Sequence, residues 1–225
     1  MGKNKLERFA ENKDFDCLIQ PLSTDILQKD FYLKGKWNSD FFDNPNPIVL
    51  ELGCGKGEYA IGLSRIFPDQ NFIGIDIKGA RLWRGAKTVH EEQLPNVGFL
   101  RTRIDLCDRF FGKDEVNEIW LTFSDPQPKK ERKRLTSPVF IERYRKFLKP
   151  GGIINVKTDS DLLYEYTLEQ IKENKYELIC ENNDIYSGFA DKQPEELQKI
   201  LSIRTYYESI WLDQKITIKY ISFRI

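Results

Sequence analysis

The hydrophobic run Ile48-Val49-Leu50-Glu51-Leu52 leads directly into Gly53-Cys54-Gly55-Lys56-Gly57, and the residues that follow carry Tyr59, Ala60, Leu63, Ile66 and Phe67 at helical spacing. Strand, glycine loop and helix together open an α/β unit. A second strand, Asn71 to Ile75, closes on Asp76, nineteen residues after Gly57. This is the plan of a nucleoside site. Glycines let the backbone approach a ligand closely, and an acid at the next strand end can accept hydrogen bonds from both ribose hydroxyls. The plainer alternative is a doubly wound domain whose glycines serve only a tight turn.

The loop spacing bears on which ligand it holds. A dinucleotide loop reads G-x-G-x-x-G and turns a helix N-terminus toward a pyrophosphate. Here the glycines alternate strictly, with Glu51 just before the loop and Glu58 just after it. Two carboxylates so placed repel a pyrophosphate and suit a ligand bearing an ammonium and a sulfonium. S-adenosylmethionine (SAM) is such a ligand, and a nicotinamide cofactor is disfavoured.

With 225 residues, 40% of them hydrophobic, the chain suits one α/β domain with an added segment or two. Its formal net charge is zero, so a basic surface for nucleic acid has to be a local patch. No stretch approaches the roughly 18–20 apolar residues of a membrane span, and Met1 to Cys17 is too polar for a signal peptide, which points to a cytoplasmic protein. Cys17, Cys54, Cys107 and Cys180 form no C-x-x-C pair and read as reduced thiols. With one histidine in the chain, no metal centre is expected. That histidine, His90, falls beside Trp83, Ala86 and Val89 on an expected helix, a packing or surface position.

Residues 1–46 read as an N-terminal extension with Lys3, Lys5, Arg8 and Lys13 near its start, closed by Asn44-Pro45-Asn46-Pro47. Strands are expected at 48–52, 71–76, 97–102, 117–123, 152–157, 176–182 and 215–223, and helices at 57–67, 79–93, 138–148 and 160–173. Ser137-Pro138 signposts the third helix as N-cap and first position. Residues 183–208 form a long connection with a short helix near 194–203. Strands alternating with helices imply a Rossmann-like α/β fold, a seven-stranded, mostly parallel sheet with helices on both faces.

The fourth strand delivers Ser124-Asp125-Pro126-Gln127-Pro128 at its carboxyl end, where ligand crevices of open α/β sheets lie. Asp125 is a candidate catalytic carboxylate there, or an ordinary turn aspartate. Next comes Lys129-Lys130-Glu131-Arg132-Lys133-Arg134, either a phosphate-binding patch or a solvated face. The fifth strand ends in Lys157-Thr158-Asp159, so Asp159 reaches the same edge, or caps the following helix. Thr205-Tyr206-Tyr207-Glu208 sets an aromatic pair beside an acid; Tyr207 can stack on a base or be packed.

Together these pieces resemble the bacterial tRNA (guanine-N7)-methyltransferase family over nearly the whole chain. The resemblance runs through Lys34-Gly35-Lys36-Trp37, Glu51 to Gly57, Gly74-Ile75-Asp76, Phe123-Ser124-Asp125-Pro126, Pro128-Lys129-Lys130, Arg134-Leu135-Thr136, Lys157-Thr158-Asp159 and Thr205 to Glu208. It implies a class I SAM-dependent enzyme that methylates N7 of guanosine 46 in the tRNA variable loop. It further implies a partly flexible, tRNA-contacting segment at 1–46, a methyltransferase domain at 47–225, and a monomer or homodimer. By the same resemblance Glu51, Gly53, Gly55, Gly57 and Asp76 bind SAM, Asp125 is catalytic, and Lys129, Asp159, Thr205, Tyr207 and Glu208 bind substrate. Gln127 departs from the family's tryptophan, and the basic loop is somewhat short. The family also has an aspartate near the adenine; ungapped alignment puts Arg103 there, and we assign Asp105. The rival readings are a SAM-dependent methyltransferase with another RNA or an amino-group acceptor, and a non-catalytic tRNA-binding module.

Overall fold

The computed structural model describes residues 3–22, 24 and 30–225; the side chains of Lys3 and Lys5 lie outside the described part. Among the described residues, eight strands form one sheet in the order β1-β4-β3-β2-β5-β6-β8-β7. They are β1 (Leu18–Ile19), β2 (Ile48–Leu52), β3 (Asn71–Asp76), β4 (Val97–Arg101), β5 (Val116–Thr122), β6 (Leu148–Thr158), β7 (Glu177–Asn182) and β8 (Lys219–Arg224). Strands β1 to β6 pair in parallel, and β8 runs antiparallel between β6 and β7. The helices used below are α1 (Lys3–Glu11), α2 (Glu58–Ile66), α3 (Gly79–Glu92), α4 (Pro138–Tyr144), α5 (Asp161–Glu173), α6 (Glu195–Ser202) and α7 (Tyr206–Asp213).

All five residues of β2 are buried, as expected of a central parallel strand covered on both faces. Their alternation divides the core. Ile48, Leu50 and Leu52 face one layer with Trp37, Tyr144 and Phe147, while Val49 faces the other with Tyr59, Leu63, Leu82 and Phe99. Glu51 shares the Val49 face, beneath α2. Because β3 and β5 flank β2 on opposite sides, the strand order reverses at β2 and a crevice opens beyond the carboxyl ends.

The sheet has one strand more than the seven expected. The extra strand comes from within residues 1–46, where Leu18 and Ile19 pair with Phe99 and Leu100. Two residues are too few to show alternation in sequence, so partner β4 defines this strand. The described parts of 1–46 also cover the core. Phe31, Leu33, Trp37 and Phe42 are buried, and the Trp37 indole donates to the Phe110 carbonyl at 2.9 Å. Both Glu115 oxygens accept backbone N–H groups from this segment, Gly35 at 2.9 Å and Trp37 at 3.0 Å. The final strand starts at Lys219 rather than 215, because Lys215 turns the chain with φ +59°. His90 is exposed, its ring 5.6 Å from that of Phe15.

Candidate active site

A cavity of about 640 Å³ lies beyond the carboxyl ends of the parallel strands. Four successive strand ends each contribute one acid to its wall: Asp76 ends β3, Asp105 follows β4, Asp125 follows β5 and Asp159 follows β6. Ile77, Ile104, Phe123, Leu135, Phe140 and Trp211 supply apolar surface between them. Acids set among apolar walls suit a cationic ligand with a flat ring, the chemistry of a sulfonium joined to a purine nucleoside. The volume falls within the usual range for small-ligand sites, about 300–1,000 Å³.

The glycine loop builds one rim. Gly53, Gly55 and Gly57 all adopt left-handed backbone, with φ of +83°, +58° and +71°. Gly57 is further restricted, since a Cβ there would lie 2.3 Å from the Phe99 ring. Gly53 reaches the cavity wall, whereas Gly55 and Gly57 shape the loop behind it. The Gly55 N–H donates to Asp76 Oδ2 at 3.0 Å and the Lys78 N–H to Asp76 Oδ1 at 2.8 Å, which orients the carboxylate at the strand end. Glu51 sits deeper. Its Oε2 accepts the Ala60 N–H at 2.9 Å and its Oε1 the Thr122 hydroxyl at 2.6 Å, tying α2 and β5 to β2. Burial pushes its carboxyl up to about 7.

Asp105 stands in the wall together with Arg103. The guanidinium grips it through Nε at 2.9 Å and Nη2 at 2.6 Å, which holds its carboxyl below the usual range. Arg103, which ungapped alignment puts at the family's aspartate position, and the assigned Asp105 thus form a single fork.

Asp125 is exposed at the mouth, with Oδ1 accepting the Gln127 N–H at 2.9 Å. Its loop is bracketed by two non-glycine residues in left-handed conformation, Phe123 at φ +50° and Gln127 at φ +46°. Such geometry typically costs about 1–3 kcal/mol each and marks sites where position matters more than ease of folding. Arg134 holds the loop from beneath. It is buried, donates to the Pro126 carbonyl at 2.9 Å, and stacks 4.3 Å from the Tyr166 ring centre. One cation of the basic run therefore points inward, while Lys129, Lys130, Arg132 and Lys133 are exposed and Lys133 borders the cavity. Lys129 lies outside the cavity wall. The Ser124 hydroxyl is buried in this wall with no hydrogen-bond partner among the described residues.

Two expected caps fall elsewhere. Ser137 occupies the N-cap position of α4, but its hydroxyl donates to the Arg132 carbonyl. Helix α5 is capped by Ser160, which accepts the Leu163 N–H at 3.2 Å, so the half-buried Asp159 is left at the cavity with its carboxyl raised by burial.

The expected substrate set divides. Tyr207 reaches the cavity and receives a hydrogen bond from Arg81 at 3.1 Å. Thr205 and Glu208 do not line it. Their side chains form the reciprocal N-cap of α7: Thr205 Oγ1 accepts the Glu208 N–H, and Glu208 Oε2 accepts the Thr205 N–H. The pattern T-x-x-E is itself the sequence signature of such a cap and could have revealed α7. Glu208, fully buried, also takes the Lys157 ammonium at 2.7 Å and the Tyr186 hydroxyl at 2.6 Å. Residues 206–208 thereby present Tyr207 while Glu208 fastens them from behind. Arg81, Lys157 and Tyr186 were not legible as site residues.

Comparisons with known proteins identify the family of the chain. Residues 45–220 match the family described as "Putative methyltransferase". Proteins described as tRNA (guanine-N(7)-)-methyltransferase are 51% identical in Bacteroides thetaiotaomicron, over 100% of this chain and 87% of that protein, and 49% identical in Christiangramia forsetii, over 100% and 99%. The chain belongs to the tRNA (guanine-N(7)-)-methyltransferase family. Solved methyltransferase structures share the fold of this chain. The 16S rRNA methyltransferase KamB superposes with a TM-score of 0.61 at 16% identity, covering 83% of this chain and 91% of that one. An antibiotic-related methyltransferase gives 0.61 at 13% identity, covering 88% and 97%. The fold of this tRNA (guanine-N(7)-)-methyltransferase family member is Rossmann-like. Among the described residues no helix is long and apolar enough to cross a membrane, and no cluster of metal-ligating side chains is present.

Proposed function

We propose that this chain transfers a methyl group from SAM to N7 of a guanosine in the variable loop of tRNA, at position 46. The observation that carries this reading is the convergence of four strand-end aspartates on one cavity, in a chain half identical to relatives named for this activity. Bound SAM supplies an electrophilic methyl on a sulfonium. Asp76 would accept hydrogen bonds from the ribose, the Asp105–Arg103 fork would border the adenine, and the loop headed by Gly53 would receive the methionine end. Glu51 serves by bracing the loop, with Gly55 and Gly57 giving it shape.

Guanine N7 carries an in-plane lone pair and no proton, so no base has to act before transfer. The ring becomes cationic as the new bond forms, and a carboxylate beside it is favoured more in the transition state than before it. Asp125, held by Gln127 and by its strained loop, is suited to that task and can also accept from guanine N1–H or the exocyclic amine. Asp159 and Tyr207 would hold the base, with Thr205 and Glu208 acting through the position of Tyr207. Lys129 and its exposed neighbours would contact phosphates. Aligning nucleophile, methyl and sulfur can contribute about 7–11 kcal/mol.

The test incubates the protein with methyl-labelled SAM and unmodified tRNA transcripts, then cleaves the RNA at N7-methylguanine. One cut in the variable loop is expected, lost when that guanosine is replaced by 7-deazaguanosine. Label without cleavage would discard the N7 assignment, and SAM binding without label would discard the transfer.

A further inference from the structure

A second concavity, about 850 Å³, lies between α2 and α3, rimmed by α1 on one side and by the α6–α7 link on the other. Its lining carries Arg8, Lys56, Arg65, Arg81, Arg84 and Arg204 against a single acid, Glu58. In a chain of zero net charge this is strong local segregation. Arg65 is neutralised by Glu92 at 2.6 Å, and Glu58 is engaged by the Tyr206 N–H at 3.0 Å. The other five cations have no carboxylate partner among the described residues.

Most of these cations lie instead against aromatic rings. Arg8 lies 4.6 Å from the Trp83 ring centre, Lys56 4.2 Å from Tyr206, Arg204 5.4 Å from Tyr186, and Arg81 5.9 Å from Tyr207. An ion pair would orient a cation and cancel its charge; a ring orients it and leaves the charge available. The groove is therefore ordered and still positive. Its cations come from four separate segments along both rims, which suits a row of phosphates better than one small anion.

Arg81 lines both this groove and the cavity of the proposed active site. The basic loop after β5 borders that cavity as well, through Lys133. Helix α3 follows β3 and the basic loop follows β5, and those strands flank β2. The two basic surfaces thus stand on opposite sides of the mouth.

We propose that the α1–α2–α3 groove binds the sugar–phosphate backbone of the RNA substrate, so that the tRNA is gripped on both sides of the base being methylated. This rests on the tRNA reading above. The decisive experiment measures the salt dependence of binding of an unmodified tRNA transcript to full-length protein between 50 and 200 mM salt, for wild type and for the variant R8Q/R84Q/R204Q. Each lost phosphate contact should lower the slope by about 0.9, so the triple variant should lose roughly 40-fold less affinity than wild type across that range. SAM affinity by calorimetry should be unchanged, which separates a lost contact from a lost fold. Should the triple variant not fold, R84Q alone, at an exposed helix position, should lose roughly 3.5-fold less than wild type. An unchanged slope in a variant whose wild type binds and methylates tRNA would overturn the groove assignment alone. A wild type that binds SAM and shows no salt-dependent tRNA binding would overturn both readings.

Discussion

Replacing Lys157 with methionine should be the most damaging single substitution outside the apolar core. The ammonium is fully buried and its three N–H donors have three acceptors: Glu208 Oε1 at 2.7 Å, and the carbonyls of Leu201 and Ile203, each at 3.0 Å. Burial presses the ammonium below its ordinary pKa, and the Glu208 carboxylate opposes that. Methionine fills much the same space and removes the charge, so Glu208 is left buried without its cation and two carbonyls lose their donor. Removing one member of a buried pair costs about 3–5 kcal/mol. For a domain of this size that corresponds to a fall in Tm of roughly 6–20 °C. A second substitution checks the reasoning. Glu208→Gln on top of Lys157→Met removes the stranded charge while keeping an acceptor for the Thr205 N–H, so it should recover a large part of the loss. Thermal unfolding followed by circular dichroism reads both. A fall of less than about 3 °C for the single variant, or a double variant no more stable than the single one, would refute the account.

Asp125→Asn should lower the methyl-transfer rate by roughly 100- to 1,000-fold with SAM affinity changed less than about twofold; parallel losses in rate and affinity would remove Asp125 from the chemistry. Asp76→Ala should weaken SAM binding by roughly 10- to 150-fold, read by calorimetry, and an unchanged affinity would count against its ribose role. Glu51 titrates near 7 when folded against 4.5 ordinarily, so the folded protein holds the extra proton between those values. Its contribution is fully present below pH 4.5 and is lost as pH rises through 7, roughly 3 kcal/mol in all. The stability of wild type relative to Glu51→Gln should therefore decline from pH 5 to pH 8 in SAM-free unfolding experiments, and a constant difference would show that burial does not shift this group.

The central strands were legible because burial on both faces writes an unbroken apolar run and glycine ends it. Strands β2 and β3 occupy the expected residues, 48–52 and 71–76. Asp76, Asp125 and Asp159 were legible for the same reason, since locating a strand locates its carboxyl end, whereas Asp105 came from the family resemblance alone. What stayed hidden depends on distant partners. Helix α7 exposes Tyr206 and Tyr207 and buries Glu208, the reverse of ordinary hydropathy, because Glu208 meets Lys157. Arg134 reads as one more surface cation until Pro126 and Tyr166 are seen around it. The aromatic partners of Arg8 and Arg204 lie on other segments, so no local pattern announces the second basic groove.

The pairing of β1 with β4 also has a temporal side. Leu18 emerges from a ribosome well before its partner Phe99, about 80 residues and roughly 4–16 s earlier at ordinary rates of synthesis. Until then Leu18 and Ile19 have no sheet edge to join, and Arg8 has to wait for Trp83, made only shortly before Phe99, to rest on. The glycine loop needs chain only as far as Asp76 to find its orienting carboxylate. In a growing chain the half that carries the glycine loop can thus take shape first, and the part supplied by the earliest residues closes on it afterwards.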